Sequence, residues 1–106
     1  MTTKVRATVS ELRARLEKLY GERLVKLVLY GSQARGDEEP GSDIDVLVVL
    51  RGDVQPCREI ERTGDIVTGI SLDNDVVIAC VFVPETRYAN EWSPLLANVR
   101  KEGVSV

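Results

Sequence analysis

The chain has 106 residues, 43% of them hydrophobic and 29% charged, which suits one domain spanning residues 1–106 and able to bury a core without disulfides or a structural metal. With 14 basic residues against 17 acidic, no His and a net charge of -3, it lacks the basic excess of a duplex-DNA or anionic-membrane binder. No apolar segment follows Met1 and no apolar run is long enough to span a bilayer, so a soluble, cytoplasmic protein is expected.

In chain order, Thr8 and Glu11 read as a capping box, and Leu12, Leu16, Leu19 and Tyr20 recur at helical spacing up to Gly21, predicting a helix over Val9–Tyr20. Leu24–Tyr30 is nearly all apolar and reads as a strand buried on both faces. Ser32 begins a short helix, and the polar stretch from Gly36 through Asp37, Glu38, Glu39 and Pro40 to Gly41 reads as a solvated turn. Asp43–Leu50 is a second strand, followed by a turn at Arg51-Gly52-Asp53. Cys57, Ile60, Gly64, Val67 and Ile70 or Ser71 then mark one side of a second long helix.

Asp75 opens a third apolar strand, Val76–Val83, closed by Pro84. Ser93 and Pro94 supply a cap and a first-turn proline for a last helix carrying Leu95, Leu96 and Val99 and ended by Gly103. Cys57 and Cys80 have no ligand spacing and no His partner, so they are expected to be small buried hydrophobes in a reducing compartment. The order of elements predicts an α/β (α+β) layer, a small sheet covered by helices.

The chemistry sits where two strands meet their turns. Gly31-Ser32 precedes Asp43-Ile44-Asp45 in the pattern Gly-Ser-x10-Asp-x-Asp, which at ordinary residue frequencies arises by chance about once in 10^5 starting positions. On a strand, residues i and i+2 share a face, so Asp43 and Asp45 converge on a shared cation, and Mg2+ is commonly held by one or two carboxylates plus substrate phosphates. Asp75, directly before a strand, is the favoured third carboxylate over Asp73. Gly31 allows close approach of a ligand, and Ser32 offers a hydroxyl and helix N–H groups to a phosphate. Arg35, one turn further on, reaches either the triphosphate or an acidic partner among Asp37, Glu38 and the site aspartates. Read singly, these residues are a strand-ending turn, a turn aspartate, a solvent-facing strand residue and a helix stop. Read together, that account leaves three acids bordering otherwise apolar strands unexplained.

The run Leu29-Tyr30-Gly31-Ser32-Gln33-Ala34-Arg35-Gly36, followed by Ser42-Asp43-Ile44-Asp45-Val46-Leu47-Val48, resembles the minimal nucleotidyltransferases of the DNA polymerase beta-like superfamily. The resemblance implies a mixed sheet in place of the all-parallel one that alternation suggests. It also implies that Gly31 and Ser32 hold a nucleoside triphosphate, that Asp43, Asp45 and a third acid bind two Mg2+ ions, and that Arg35 assists.

Similar proteins include antitoxins paired with HEPN-type helical toxins, some of which move AMP from ATP onto a tyrosine of the toxin. The expected activity is therefore AMP transfer to a hydroxyl of a partner protein, in a homo- or hetero-oligomer. Its rivals are a non-catalytic module that masks the toxin and transfer to a small molecule. Tyr88, Trp92, Leu95 and Leu96, among Arg87, Glu91, Arg100 and Lys101, are the expected partner surface; the competing reading packs Trp92 and the leucines on the sheet.

Overall fold

The computed structural model describes residues 2–36 and 43–106. Helix α1 (Thr3–Tyr20) leads through a 3-10 turn (Gly21–Arg23) into β1 (Leu24–Tyr30), the short α2 (Ser32–Arg35) and β2 (Ile44–Leu50). Then follow α3 (Pro56–Asn74), β3 (Ile78–Pro84), α4 (Glu85–Asn90), α5 (Pro94–Glu102) and β4 (Val104–Ser105). The sheet order is β3-β2-β1-β4, with β1 antiparallel to β2 and β4, and β2 parallel to β3. The sheet is therefore mixed, as the resemblance implied. The expected turn over Asp37–Gly41 lies outside the described residues.

Strand β2 is buried on both faces, which is why its sequence is apolar without alternation. On one face Leu27, Leu29, Ile44, Val46, Val48 and Leu50 meet Leu12 and Leu16 of α1 and Ile70 of α3. On the other, Val28, Leu47, Val49 and Val83 meet Leu96 and Val99 of α5. The molecule is thus a sheet between two helical layers, and Asp45 belongs to the α5 face because it continues the Leu47–Val49 parity.

Several elements depart from expectation. Helix α1 starts six residues early: Thr2 is its cap, accepting from Val5 N–H at 3.1 Å, while the Thr8 hydroxyl is buried and donates to the Lys4 carbonyl at 2.8 Å. The Thr8–Glu11 capping box does not form, because burying Val5 and Val9 extends the helix past it. The buried side of α3 carries Glu59, Thr63 and Ile70, not Cys57 and Ile60, which are exposed. Cys57 is thus a correction to the buried-hydrophobe reading. Cys80 is half-buried, and burial pushes its thiol up to about 12.

The α3 face is polar because it closes a hydrogen-bonded pair. Tyr20 donates to Glu59 Oε1 at 2.8 Å, Glu59 is only 2% exposed, and Arg62 Nη1 lies 3.5 Å from the same oxygen. Burial and this acceptor hold the Tyr20 phenol above its ordinary value, so it remains a donor at any physiological pH. Tyr20→Phe strips a donor from a buried carboxylate and should cost about 2 kcal/mol, a fall in Tm of roughly 10 °C in thermal melts. An unchanged Tm would show that Arg62 alone satisfies Glu59.

Candidate functional site

Strand β1 ends at Tyr30, and the chain turns at once through Gly31, with φ +76 and ψ -158, into α2. That backbone conformation is open to glycine and strained for other residues. Space imposes a second demand. A Cβ on Gly31 would stand 2.6 Å from Asp45 Oδ2, so the turn lies directly against the carboxylate. The Gly31 carbonyl accepts from Ala34 and Arg35 N–H at 3.1 and 3.2 Å, and this sets Ser32 as the first helical residue.

Antiparallel pairing places Tyr30 opposite Asp45, and parallel pairing places Ala79 of β3 level with it on the other side. Asp43, exposed, immediately precedes the strand and shares the face of Asp45. Burial first, and the Asp43 charge second, raise the Asp45 carboxyl above the ordinary carboxylate range. Burial and the Asp45 charge likewise raise the Tyr30 phenol. Gly31, Ser32, Asp43 and Asp45 are therefore brought to one end of the sheet.

Asp75 precedes the same end of the sheet but does not complete a three-carboxylate group with the pair. It is exposed, in left-handed conformation at φ +52, and its N–H bonds the Leu72 carbonyl: it terminates α3 and does not open β3. Asp73 is also exposed, in the last turn of α3. Among the described residues no three His, Cys, Asp or Glu side chains stand close enough to share an ion. The physical reason is register. Val77 O accepts from Ile44 N–H, so Asp75 falls two residues before the level of Asp43 and four before that of Asp45.

Arg35 meets an acid that sequence proximity did not suggest: Nη1 lies 3.0 Å from Glu102 Oε2 and 3.2 Å from Oε1, tying α2 to the end of α5. Glu102 is 67 residues away along the chain. Asp37 and Glu38, the nearby acids expected for Arg35, lie outside the described residues.

The two carboxylates fit a hard divalent cation. They share one strand face, Asp45 is held above its ordinary pKa by burial first and by the Asp43 charge second, and Gly31 leaves no side chain between turn and carboxylate. A raised carboxyl favours the native state below the unfolded pKa, and that contribution is lost as pH rises through the folded value. Ionised Asp45 thus destabilises the metal-free protein at neutral pH. Asp45→Asn should make the EDTA-treated protein as stable or more stable at pH 7, with the advantage shrinking toward pH 4. A lower Tm for the variant at pH 7 would contradict this electrostatic account.

A glycine turn against a carboxylate pair, at the end of a mixed sheet, has the chemistry to receive a cation and a polyphosphate. Residues 9–102 match the nucleotidyltransferase domain family, and the chain belongs to it. A protein of Methanocaldococcus jannaschii named "putative protein adenylyltransferase" is 37% identical over 90 residues, 83% of this chain and 83% of that one. A crystal structure of a toxin-antitoxin with AMP-PNP superposes with a TM-score of 0.61 at 19% identity, covering 89% of this chain and 68% of that one. A "putative nucleotidyltransferase from Sulfolobus solfataricus" superposes with a TM-score of 0.60 at 18% identity, covering 99% and 86%. At these identities the superpositions speak to the fold. Among the described residues, no helix is long and apolar enough to cross a membrane.

Proposed function

We propose that the chain is a Mg2+-dependent nucleotidyltransferase that moves AMP from ATP onto a hydroxyl of a partner protein, most consistently the helical toxin of a toxin–antitoxin pair in the cytoplasm. The observation that carries this reading is the packing of the Gly31 turn on Asp45 Oδ2. In this reading the Gly31 turn is the phosphate cradle, and its approach to Asp45 supports that role beside the carboxylate pair. The 37% identical relative supports a protein as acceptor, and the toxin-antitoxin neighbour with AMP-PNP supports an adenine nucleotide and a toxin partner.

In this reading Gly31 and Ser32 hold the β and γ phosphates, and Asp43 and Asp45 hold the cation. Bound Mg2+ would neutralise phosphate charge and make the acceptor hydroxyl more acidic. The acceptor oxygen bonds to the α-phosphorus, the α–β bridging bond breaks, the hydroxyl proton is released and pyrophosphate leaves. Asp75 stands outside this arrangement, and Arg35 takes part only by exchanging Glu102 for phosphate.

Two observations favour a second reading, a module that masks the toxin without modifying it. No third acid joins Asp43 and Asp45 among the described residues, and Arg35 is engaged by Glu102.

Incubation of chain and cognate partner with ATP labelled at the α or the γ phosphate separates the readings. Covalent label on the partner from the α position alone is the expected result. Label from the γ position would mean phosphorylation, and a silenced but unlabelled partner would mean masking.

A further inference from the structure

The α5 face of the sheet carries a second feature besides the carboxylates. Trp92, the chain's one tryptophan, is 75% exposed in the link between α4 and α5, so it does not serve to pack the last helix. Four residues before it, Tyr88 is half-buried, with Lys26 Nζ 5.6 Å and the Arg100 guanidinium 5.8 Å from its ring centroid. Arg100 also donates to the Tyr88 carbonyl and, at 3.0 Å, to the carbonyl of Glu91, the residue before Trp92. Arg87 pairs with Glu91 at 2.9 Å. Lys26, Arg87 and Arg100 against Glu91 leave this patch positive on a chain whose net charge is -3.

We propose that this patch docks a segment of a partner protein that presents acidic side chains around an apolar residue, the apolar residue seating on Trp92. The identification of that partner as the AMP acceptor rests on the function proposed above. Charge complementarity selects an acidic partner, and Trp, Tyr and Arg are the residue types that anchor interfaces. Arg100 is already held by two carbonyls, so binding orders little that is not ordered beforehand. A single-stranded nucleic acid fits less well. It needs successive rings along a basic groove, whereas cations flank the Tyr88 ring and leave Trp92 alone as a stacking surface.

The patch is placed to serve the site. Register puts Lys26, paired with Val49, and Tyr30, paired with Asp45, on one face of the sheet. Four residues of strand separate them by about 13 Å. Helix α5 spans the same interval: Ser93, next to Trp92, caps its start by accepting from Leu96 N–H at 3.1 Å, and Glu102 at its end holds Arg35 of α2. Because α5 covers this face between them, a segment anchored on Trp92 would run over α5 to reach Asp43 and Asp45.

The lone tryptophan makes the test direct. The probe is an amphipathic helical peptide with Glu on its polar face and Leu and Phe on the other, compared with its Lys-for-Glu counterpart and with an oligouridine. The acidic peptide should shift Trp92 emission to the blue and saturate, with at least tenfold weaker binding by the Lys peptide. Trp92→Ala should weaken binding about thirtyfold by anisotropy of labelled peptide. Arg87→Ala should weaken it less and flatten its salt dependence. Neither variant should change the thermal shift given by Mg2+-ATP.

Trp92 emission unmoved by the acidic peptide, or oligouridine binding as tightly, would overturn the proposal. Docking without transfer of α-label to a partner would leave the surface standing and remove the reaction. Transfer to the cognate partner at full rate and affinity in Trp92→Ala would remove the surface and leave the reaction.

Discussion

Asp43→Asn and Asp45→Asn should each lower transfer of α-labelled AMP to the partner by about a thousandfold, the scale of losing several kcal/mol of charge stabilisation at the phosphate. The loss follows from the site's economy. Asp45 lies against the Gly31 turn with Asp43 on the same strand face, and among the described residues no third acid joins them. Binding needs a separate measurement from rate. Mg2+-ATP at about 100 times its Kd should stabilise the wild type by about 2.7 kcal/mol, an increase in Tm of roughly 10 to 20 °C, and should do little for either variant. Asp75→Asn should change neither quantity appreciably, because Asp75 ends α3 and forms no three-carboxylate group with the pair. Wild-type rates in Asp43→Asn, or an Asp75→Asn loss as large as theirs, would require a different site.

Gly31→Ala should damage the site as badly from the backbone side. Alanine at φ +76 and ψ -158 costs about 1 to 3 kcal/mol, and its Cβ would press on Asp45 Oδ2 from 2.6 Å, displacing the carboxylate by roughly an ångström. Misplacement on that scale lowers catalysis about a hundredfold. Gly36→Ala is the control. Gly36 also has positive φ, at +78, but a Cβ there meets nothing within 4 Å, so it should lose stability and keep transfer. If Gly31→Ala and Gly36→Ala lose equal activity, strain and not the contact with Asp45 is responsible.

The parts of the site that were legible in the sequence are those whose geometry is local. Gly31-Ser32 follows a strand because an apolar β-compatible run ends there, and Asp43 and Asp45 share a face because strand side chains alternate. The parts that were not legible depend on what packs where. Thr8 has the residue types of a cap, yet Thr2 caps α1, since the burial of Val5 and Val9 is a property of the assembled core. Pro84 reads as the end of a strand; it also caps the six-residue α4, which is too short to show a period. The predicted stripe of α3 held at Val67 and Ile70, which pack on the core, and failed at Cys57 and Ile60, which are exposed. The buried side holds Glu59, and nothing in its neighbourhood along the chain foretells Tyr20 as its donor.

By itself, then, the amino-acid sequence determined the layered α/β class, the strand–turn–helix at Tyr30–Arg35 and the convergence of Asp43 with Asp45, because each follows from backbone geometry within a few residues. Tertiary structure alone decided the rest. The register of β3 on β2 set Ala79, not an acid, level with Asp45 and left Asp75 as a helix stop. The return of α5 across the sheet gave Arg35 its partner in Glu102 and left Trp92 facing solvent. Those outcomes turn on which distant surfaces bury one another, a choice made by the total apolar area of the fold and not by the residues on either side.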